Sequence, residues 1–195
     1  MSKSLRFRIL QPEEEYVYLT YSINNEKKEE SKVLLKNYKT ILQKALDWLW
    51  KRNRVERKEI KKGRKVLMKL KIKLPKKSEV YKTLTDELEK VNALASHYVN
   101  KAISDTFSIL NSWKRRGEMG QASPRKPKLK RVYVRVKSTL RKVEGESFRV
   151  TVRPYEYITF SWSNTWFSRW VKGLELGEPV INEDKVYLPF RYKLP

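Results

Sequence analysis

Side chains suited to acid–base or metal chemistry are few and scattered in this sequence. Its 195 residues contain one histidine, His97, and no cysteine, which excludes disulfides, thiolate nucleophiles and cysteine-based zinc sites. His97 lies next to an apolar stripe with no second histidine or carboxylate cluster beside it in sequence, as is typical of a partly buried structural histidine. The glycines form neither a P-loop nor a dinucleotide fingerprint. We therefore predict no catalytic residue, no metal site and no cofactor.

Cationic side chains are far more numerous. Lys and Arg number 45 against 22 Asp and Glu, which gives a net charge of +23 and a pI near 10.1. Such a surplus is costly in self-repulsion unless a polyanion neutralises it. Residues 51–77 and 114–142 are especially dense in Lys and Arg, with Glu56 and Glu59 as the acids of the first segment and Glu118 as that of the second. This uncompensated charge is the footprint expected for phosphate binding.

The predicted binding residues come mainly from the second segment. Tyr133 alternates with Arg131 and Arg135, so it is predicted to be exposed on a strand and to stack on a base. A second basic surface is expected where lysines alternate with apolar residues, at Lys69, Lys71 and Lys73. The predicted phosphate contacts are Arg115, Arg116, Arg125, Lys126, Lys128, Lys130, Arg131, Arg135, Lys137, Arg141 and Lys142.

Strand patterns flank a helical centre. Short aromatic and β-branched runs predict strands over residues 5–10 and 16–23, and apolar spacings of three and four predict a helix over about residues 29–54. A strand follows at residues 68–74. The longest apolar stripe runs from Val80 to Trp113 and predicts one long helix, with Ser78 as its N-cap and Gly117 as its stop.

Strand patterns return after a loop at residues 117–130 that contains glycines and prolines. Four strands are predicted from Arg131 onwards, with turns near residues 144–145, 173–177 and 182–184. Alternation predicts one inward and one outward face for the first two of these strands. The inward residues are Val132, Val134, Val136, Phe148, Val150 and Val152, and the outward residues are Arg131, Tyr133, Arg135, Lys137, Arg149 and Arg153. The fold class is therefore α+β: a small antiparallel β barrel or sheet built from N- and C-terminal strands, with a helical insertion dominated by one long helix.

The aromatic stretch at residues 162–170 is assigned mainly to this interior. Six tryptophans in a small domain must mostly be buried, so we predict that Trp162, Trp166 and Phe167 belong to the core.

Composition also gives an expectation for location. The first residues contain no long apolar run and no signal-peptide core, which predicts a cytoplasmic protein that could associate with the nucleoid and does not bind membranes. The absence of cysteine, few glutamines and abundant Lys with Glu are typical of thermophile proteins.

Three stretches of the sequence resemble a known family. "SHYVNKAISDTFSILNSWKRR", "RVYVRVKSTLRKVEGESFRVTVRPYEYITFSWSNTWFSR" and "LELGEPVINEDKVYLPFRYKLP" are similar to the N-terminal half of archaeal TnpB (OrfB) proteins, the transposon-encoded RNA-guided DNA endonucleases related to type V CRISPR effectors. The resemblance covers about residues 34–195 and is closest from Ser96 onwards. It implies a wedge-like β domain in two parts, residues 1–28 and 119–195, interrupted by a mainly helical recognition-like insertion at residues 29–118.

The resemblance also implies a function. In TnpB proteins these regions hold the guide RNA and the RNA–DNA heteroduplex and help to read a short motif beside the target, while base pairing supplies most of the sequence specificity. A RuvC-like nuclease domain with metal-binding acidic residues follows the segment similar to "VYLPFRYKLP". This sequence ends at Pro195, so it is either a stand-alone or truncated relative or a fragment of a longer protein, and in neither case do we expect cleavage by the family's mechanism.

We therefore expect a nucleic-acid-binding module of TnpB type, whose partners are guide-like RNA and DNA, and which could also form homo-oligomers or pair with a full-length TnpB. The alternative is a protein-interaction remnant that pairs with a full-length TnpB or another protein through exposed aromatic residues, without binding nucleic acid. A nuclease acting through scattered carboxylates is a third hypothesis.

Overall fold

The computed structural model describes residues 16–63 and 65–194. The strand expected over residues 5–10 lies outside them. In chain order, the elements are β1 (Tyr16–Asn24), α1 (Lys28–Trp50), β2 (Arg54–Lys62), β3 (Lys65–Lys73), α2 (Lys77–Glu89), α3 (His97–Glu118), β4 (Val134–Arg135), β5 (Arg141–Glu144), β6 (Ser147–Arg153), β7 (Glu156–Ser161), β8 (Glu175–Leu176), β9 (Val180–Ile181) and β10 (Lys185–Lys193).

The largest sheet joins the two ends of the described chain. β1 pairs antiparallel with β10 from Tyr16 opposite Lys193 to Asn24 opposite Lys185. The strand order is β1-β10-β9-β4, and β8 also pairs with β10. The sheets formed by the described strands are open and do not close into a barrel. The α+β class, with a sheet built from N- and C-terminal strands around a helical insertion, is confirmed.

Two smaller sheets complete the β structure of the described residues. β2 and β3 form a hairpin, and β5, β6 and β7 form a three-stranded antiparallel sheet. In β6 the buried residues Phe148, Val150 and Val152 alternate with the exposed Arg149 and Arg153. The predicted inward and outward faces of this strand are therefore confirmed.

Tyrosine hydroxyls tie the helices to each other and to the sheet. α1 and α3 both contribute a fully buried tyrosine to the main core, Tyr38 and Tyr98. The hydroxyl of Tyr38 donates to Asp105 Oδ2 of α3 at 2.6 Å, and that of Tyr98 donates to the carbonyl of Thr151 in β6 at 2.8 Å. Burial, and then the neighbouring Asp105 carboxylate, raise the pKa of Tyr38 far above its usual value, so the hydroxyl remains a donor.

The single long helix predicted from Ser78 is wrong, because the stripe is divided between two helices that are joined by a turn. The side chain of Asn92 donates to the carbonyl of Leu94 and accepts from the amide of Leu94, a local bond pattern that competes with helix continuation. The amide of Ala95 then donates to the carbonyl of Val152 in β6. His97, predicted to be partly buried, is exposed at the first position of α3.

The predicted helix ends also differ. α2 begins at Lys77 with Lys76 at its N-cap position, so Ser78 is not the cap. Gly117 does not stop α3 but lies inside its last turn, buried. The left-handed residue follows at Gly120, with φ of 76°, as is usual beyond a helix C-terminus.

The prediction that Trp166 is a core residue is wrong, whereas it is confirmed for Trp162 and Phe167. Trp166 is 76 % exposed, while Trp162 and Phe167 are 4 % and 1 % exposed. Residues 162–173 form successive turns, in which the amide of Val171 donates to the carbonyl of Phe167. A spacing of four therefore turns Phe167 and Val171 inward and leaves Trp166 and Trp170 outward.

No helix within the described residues is both long and apolar enough to cross a membrane.

Candidate nucleic-acid interface

A basic groove lies between α1 and the segment that leads into β4. Lys32, Lys36 and Lys39 follow one another at spacings of four and three, which places them on one side of α1. Lys130 and Arg131 line the same groove, whose volume is about 500 Å³. The cations therefore come from two elements far apart in sequence.

Carboxylates compensate only part of this charge. The groove also contains Glu183 and Asp184, and Lys32 pairs with Glu29 on its own helix at 2.5 Å. Among the described residues, no ion pair involves Lys36, Lys39 or Arg131. These three side chains are exposed and are therefore available to phosphate oxygens.

A second groove continues the first. It has a volume of about 360 Å³ and shares Arg131 and Val132 with the basic groove, and it adds Tyr133 and Arg135 from the β4 side. Tyr133 is 45 % exposed, so its ring is accessible next to two arginines, as predicted. We call the two grooves together the α1–β4 groove.

The β2–β3 hairpin forms the second basic surface. Val55, Leu70 and Ile72 face Trp113 of α3 and form a small core with it. The opposite face carries the cross-strand pairs Arg54 with Lys73, Glu56 with Lys71 and Lys58 with Lys69. Like charges placed directly opposite each other are destabilising, so this face is suited to a polyanion that separates them. We call it the hairpin face, and it contains the predicted Lys69, Lys71 and Lys73.

Gly117 explains how the hairpin sits against α3. A Cβ atom at this position would lie 3.0 Å from Cδ1 of both Leu70 and Ile72, so only glycine allows so close an approach. Arg115 and Arg116, which directly precede Gly117 in α3, are exposed. The structure thus brings together the two basic segments that are separated in sequence.

Some predicted phosphate contacts already have partners within the protein. Lys126 pairs with Asp47 of α1, Lys142 pairs with Glu144 at 2.9 Å, and the half-buried Arg141 donates to the carbonyl of Leu176. Lys137 is also half-buried. The others, Arg115, Arg116, Arg125, Lys128, Lys130, Arg131 and Arg135, are exposed.

The Lys126–Asp47 pair anchors the segment between α3 and β4. Partial burial opposes ionisation of Asp47, but hydrogen bonds from Lys126 and Gln43 outweigh it and lower the pKa of this carboxyl. Asp47 is therefore charged at neutral pH and holds Lys126 beside α1.

Sequence reasoning missed the lysines of α1. Lys32, Lys36 and Lys39 belong to neither of the two segments singled out for charge density, and α1 also carries acids in its first turn. The signal that could have found them is their helical spacing beside the apolar stripe of Leu35 and Leu42. The partner strand β2 was missed as well, because its many charges hide the alternation.

The arrangement is suited to binding anions. Within residues 16–63 and 65–194, no three His, Asp or Glu side chains lie together in a way that could hold a metal ion. Both cationic surfaces are exposed, and the α1–β4 groove also carries the accessible ring of Tyr133. Cations of this kind suit phosphate oxygens, and an exposed aromatic ring suits the face of a base.

Sequence comparison relates this chain to two proteins of Methanocaldococcus jannaschii. TnpB-like protein MJ1635 is 32 % identical over 166 residues, which are 84 % of this chain and 37 % of that protein. Uncharacterized protein MJ0013 is 30 % identical over 153 residues, which are 73 % of this chain and 93 % of that protein. The chain thus spans little more than a third of its TnpB-like relative. No solved structure gives a significant match.

A family model gives the same relationship. The model described as the Uncharacterized protein MJ0013 family matches residues 34–151, which include most of α1, the hairpin, α2, α3 and the predicted binding segment. The match covers more than half of the chain, and the similarity to MJ1635 makes the chain TnpB-related. The chain belongs to the MJ0013 family.

Proposed function

We propose that this chain binds structured RNA and RNA–DNA heteroduplex, as the N-terminal, guide-holding part of a TnpB-type system does. The observation that carries the proposal is the α1–β4 groove, where cations from α1 and from residues 130–135 line one continuous surface. The relationship to a TnpB-like protein supports the choice of ligand. In this proposal the protein contacts the nucleic-acid backbone, and base pairing between guide and target supplies the sequence specificity.

The hairpin face would supply a second set of phosphate contacts. Its cross-strand pairs Arg54–Lys73 and Lys58–Lys69 repel each other in the free protein. A phosphate backbone lying along the hairpin would remove this repulsion and release condensed counterions. The close packing of the hairpin on α3 at Gly117 would keep this face in place.

We propose binding without a catalytic step. Many acids of the described part of the chain pair with nearby lysines or arginines, as Glu56 does with Lys71 at 3.5 Å and Glu156 with Arg153 at 2.6 Å. Carboxylates paired separately with lysines or arginines do not form the converging cluster that the two-metal chemistry of nucleases requires. A magnesium- and manganese-dependent cleavage assay on RNA and on single- and double-stranded DNA tests this point, and specific cutting would overturn it.

The test of binding uses matched charge removals at two helices. Lys36→Gln with Lys39→Gln removes two cations of the α1–β4 groove, and Lys82→Gln with Lys90→Gln removes two exposed lysines of α2 and its C-cap. Fluorescence anisotropy with a labelled RNA hairpin, measured over a salt series, gives the affinity and its salt slope. The groove double variant should reduce the slope by about 0.9 for each phosphate that is no longer neutralised, and the α2 double variant should leave it unchanged.

Two results would contradict the proposal: no RNA binding by the nuclease-treated protein at low salt, or equal effects of the two double variants. The interaction role remains the alternative. It predicts instead that the nuclease-treated chain forms a stable complex with a full-length TnpB-type protein and carries no nucleic acid. Size-exclusion chromatography with the absorbance ratio at 260 and 280 nm separates these outcomes.

A further inference from the structure

We propose that the outer face of the β5–β6–β7 sheet and the cavity beside Trp166 form a track for a single-stranded stretch of nucleic acid, which is bound mainly by base stacking. The inference rests on the proposed function and adds to it a second site, distinct from the α1–β4 groove. It assigns the unpaired nucleotides to Tyr155, Tyr157 and Trp166.

The outer face of this sheet carries an aromatic ring already stacked on a cation. One face of the sheet is buried in the core through Phe148, Val150 and Phe160. On the other face, the guanidinium carbon of Arg149 lies 4.2 Å from the centroid of the Tyr157 ring. Tyr157 nevertheless remains 45 % exposed. Exposed tyrosine rings and guanidinium planes on a sheet are surfaces on which unpaired bases stack.

Tyr155 is strained and almost fully exposed at the tip of the β6–β7 hairpin. It follows Pro154 in the turn and has φ of 66°, a left-handed value that strongly favours glycine in such turns. Its side chain is 90 % exposed, so no packing interaction offsets the unfavourable backbone. Residues in such strained conformations cluster at binding and active sites, and here the strained residue presents an accessible aromatic ring.

At the other end of the track lies a cavity of about 670 Å³, within the range of small-ligand sites of about 300–1,000 Å³. It opens between β1 and β7, which are both edge strands, and residues 163–167 cover it. Uncharged hydrogen-bonding side chains form much of its wall: Ser22, Asn24, Thr159, Ser161, Ser163, Asn164 and Thr165. Such groups suit the polar edges of a nucleobase or a ribose.

Trp166 lines this cavity, and its ring is supported by neighbouring aromatic side chains although most of it is exposed. Its centroid lies 5.6 Å from that of Tyr21 and 5.7 Å from that of Phe167, both in edge-to-face geometry. These contacts fix the orientation of the indole while most of it remains in solvent. Because the ring is already ordered, less conformational entropy is lost when a base stacks on it.

β7 connects the two ends of the track. Tyr157, Thr159 and Ser161 point to the same outer face, since alternate residues of a strand share a face. Ser161 Oγ lies 2.8 Å from Ser163 Oγ, and Thr159, Ser161 and Ser163 all line the Trp166 cavity. Alternate residues of a strand are about 6.8 Å apart, so hydroxyl groups follow one another from Tyr157 to the cavity.

The charge of this face favours a single strand over a duplex. Lys142 pairs with Glu144 and Arg153 pairs with Glu156, so the face is nearly balanced and offers few free cations for a phosphate backbone. Stacking and hydrogen bonding can act only on bases that are unpaired. The single-strand track should therefore be less sensitive to salt than the α1–β4 groove.

The experiment compares oligonucleotides with the same backbone charge. Fluorescence anisotropy is measured with a labelled oligouridylate, an oligothymidylate, an abasic oligonucleotide of equal length and a blunt RNA duplex. The variants are Trp166→Ala and Tyr157→Ala. The control is Trp170→Ala, which removes a tryptophan that is 70 % exposed but does not line the cavity. Circular dichroism verifies the fold of each variant.

We expect Trp166→Ala and Tyr157→Ala each to weaken binding of the two base-containing single strands by about 5- to 150-fold, the range typical of removing one aromatic ring from under a base. Single-strand binding by Trp170→Ala, and duplex binding by all three variants, should stay within about twofold of wild type, the size of a surface effect of a few tenths of a kcal/mol. If only the oligouridylate or only the oligothymidylate binds in this way, the single-strand track is supported, and the result also shows whether its ligand is RNA or DNA.

Equal affinity of the wild-type protein for the abasic and base-containing strands would overturn the single-strand track, and so would folded alanine variants that bind like wild type. A protein that binds at Trp166 and is not displaced by oligouridylate would also overturn it. If these results appear while the groove variants still weaken duplex binding, the proposed function stands without the track. If the wild-type protein binds no nucleic acid, the proposed function itself fails.

Discussion

Replacing Tyr38 with phenylalanine should destabilise the packing of α1 against α3, because it removes a hydrogen bond between the two helices. The Tyr38 side chain is fully buried, and its hydroxyl donates to one carboxylate oxygen of Asp105 while Lys101 holds the other. Phenylalanine preserves the packing, so the loss is that of a hydrogen bond to a charged acceptor, about 1.5–3 kcal/mol of the free energy of unfolding. For a protein of this size, that loss lowers Tm by roughly 3–12 °C.

The matched control is Tyr81→Phe. The Tyr81 hydroxyl donates to Asn100 Oδ1 at 2.5 Å on the exposed side of α2 and α3, where water can replace the missing partner. Its removal should cost at most about 0.5 kcal/mol. Urea denaturation followed by circular dichroism and tryptophan fluorescence measures both variants. Equal losses, or a loss below about 0.5 kcal/mol for Tyr38→Phe, would refute the claim that the buried bond to Asp105 holds the two helices.

Three further predictions concern other elements. Gly117→Val should destabilise the protein by about 1–2 kcal/mol and expose the β2–β3 hairpin to proteases, because the added atoms overpack Leu70 and Ile72; an unchanged urea midpoint would contradict this. Tyr155→Gly should raise the free energy of unfolding by about 1 kcal/mol, since glycine adopts φ of 66° without strain, and should weaken binding of oligouridylate; a fall in stability would show that Tyr155 is not strained. Hydrogen bonds from Lys126 and Gln43 outweigh partial burial and lower the pKa of Asp47 below 3.8, so the stabilisation from the ionised carboxylate is present above that pH and is lost as the pH falls through the lowered pKa. Asp47→Asn should therefore be less stable than wild type at pH 6 by urea denaturation, and this difference should shrink as the pH falls below 3.8. A difference that stays constant as the pH is lowered would exclude the pair as its source.

The strands and helices could be predicted where periodicity and burial agree. The alternation of Phe148, Val150 and Val152 with Arg149 and Arg153 predicted the faces of β6 correctly, and the α1 stripe predicted its core face. The break between α2 and α3 could not be predicted from periodicity, because the apolar stripe continues through a turn that depends on Asn92 and on a bond from Ala95 to β6. The role of Gly117 could not be predicted either, because it depends on a contact with β3.

For the candidate site as well, some features could be predicted from the sequence and others could not. Charge density and alternation predicted the exposure of Arg131, Tyr133 and Arg135. They could not reveal that Lys126 and Arg141 bind groups of the protein itself, because those partners are distant in sequence. Nor could composition place Trp166 outside, since a tryptophan is buried on average and only the turn geometry of residues 162–173 directs this one to solvent.

The salt dependence of RNA binding by the wild-type chain tests most directly whether the basic surface binds nucleic acid. The nuclease-treated protein is titrated with a labelled RNA hairpin at salt concentrations from about 50 to 200 mM, and log Kd is plotted against log salt. If the α1–β4 groove and the hairpin face together make about six or more phosphate contacts, the affinity should fall by about 10³-fold or more across this range. No binding at the lowest salt, or an affinity independent of salt, would contradict the claim that this basic surface is a nucleic-acid interface.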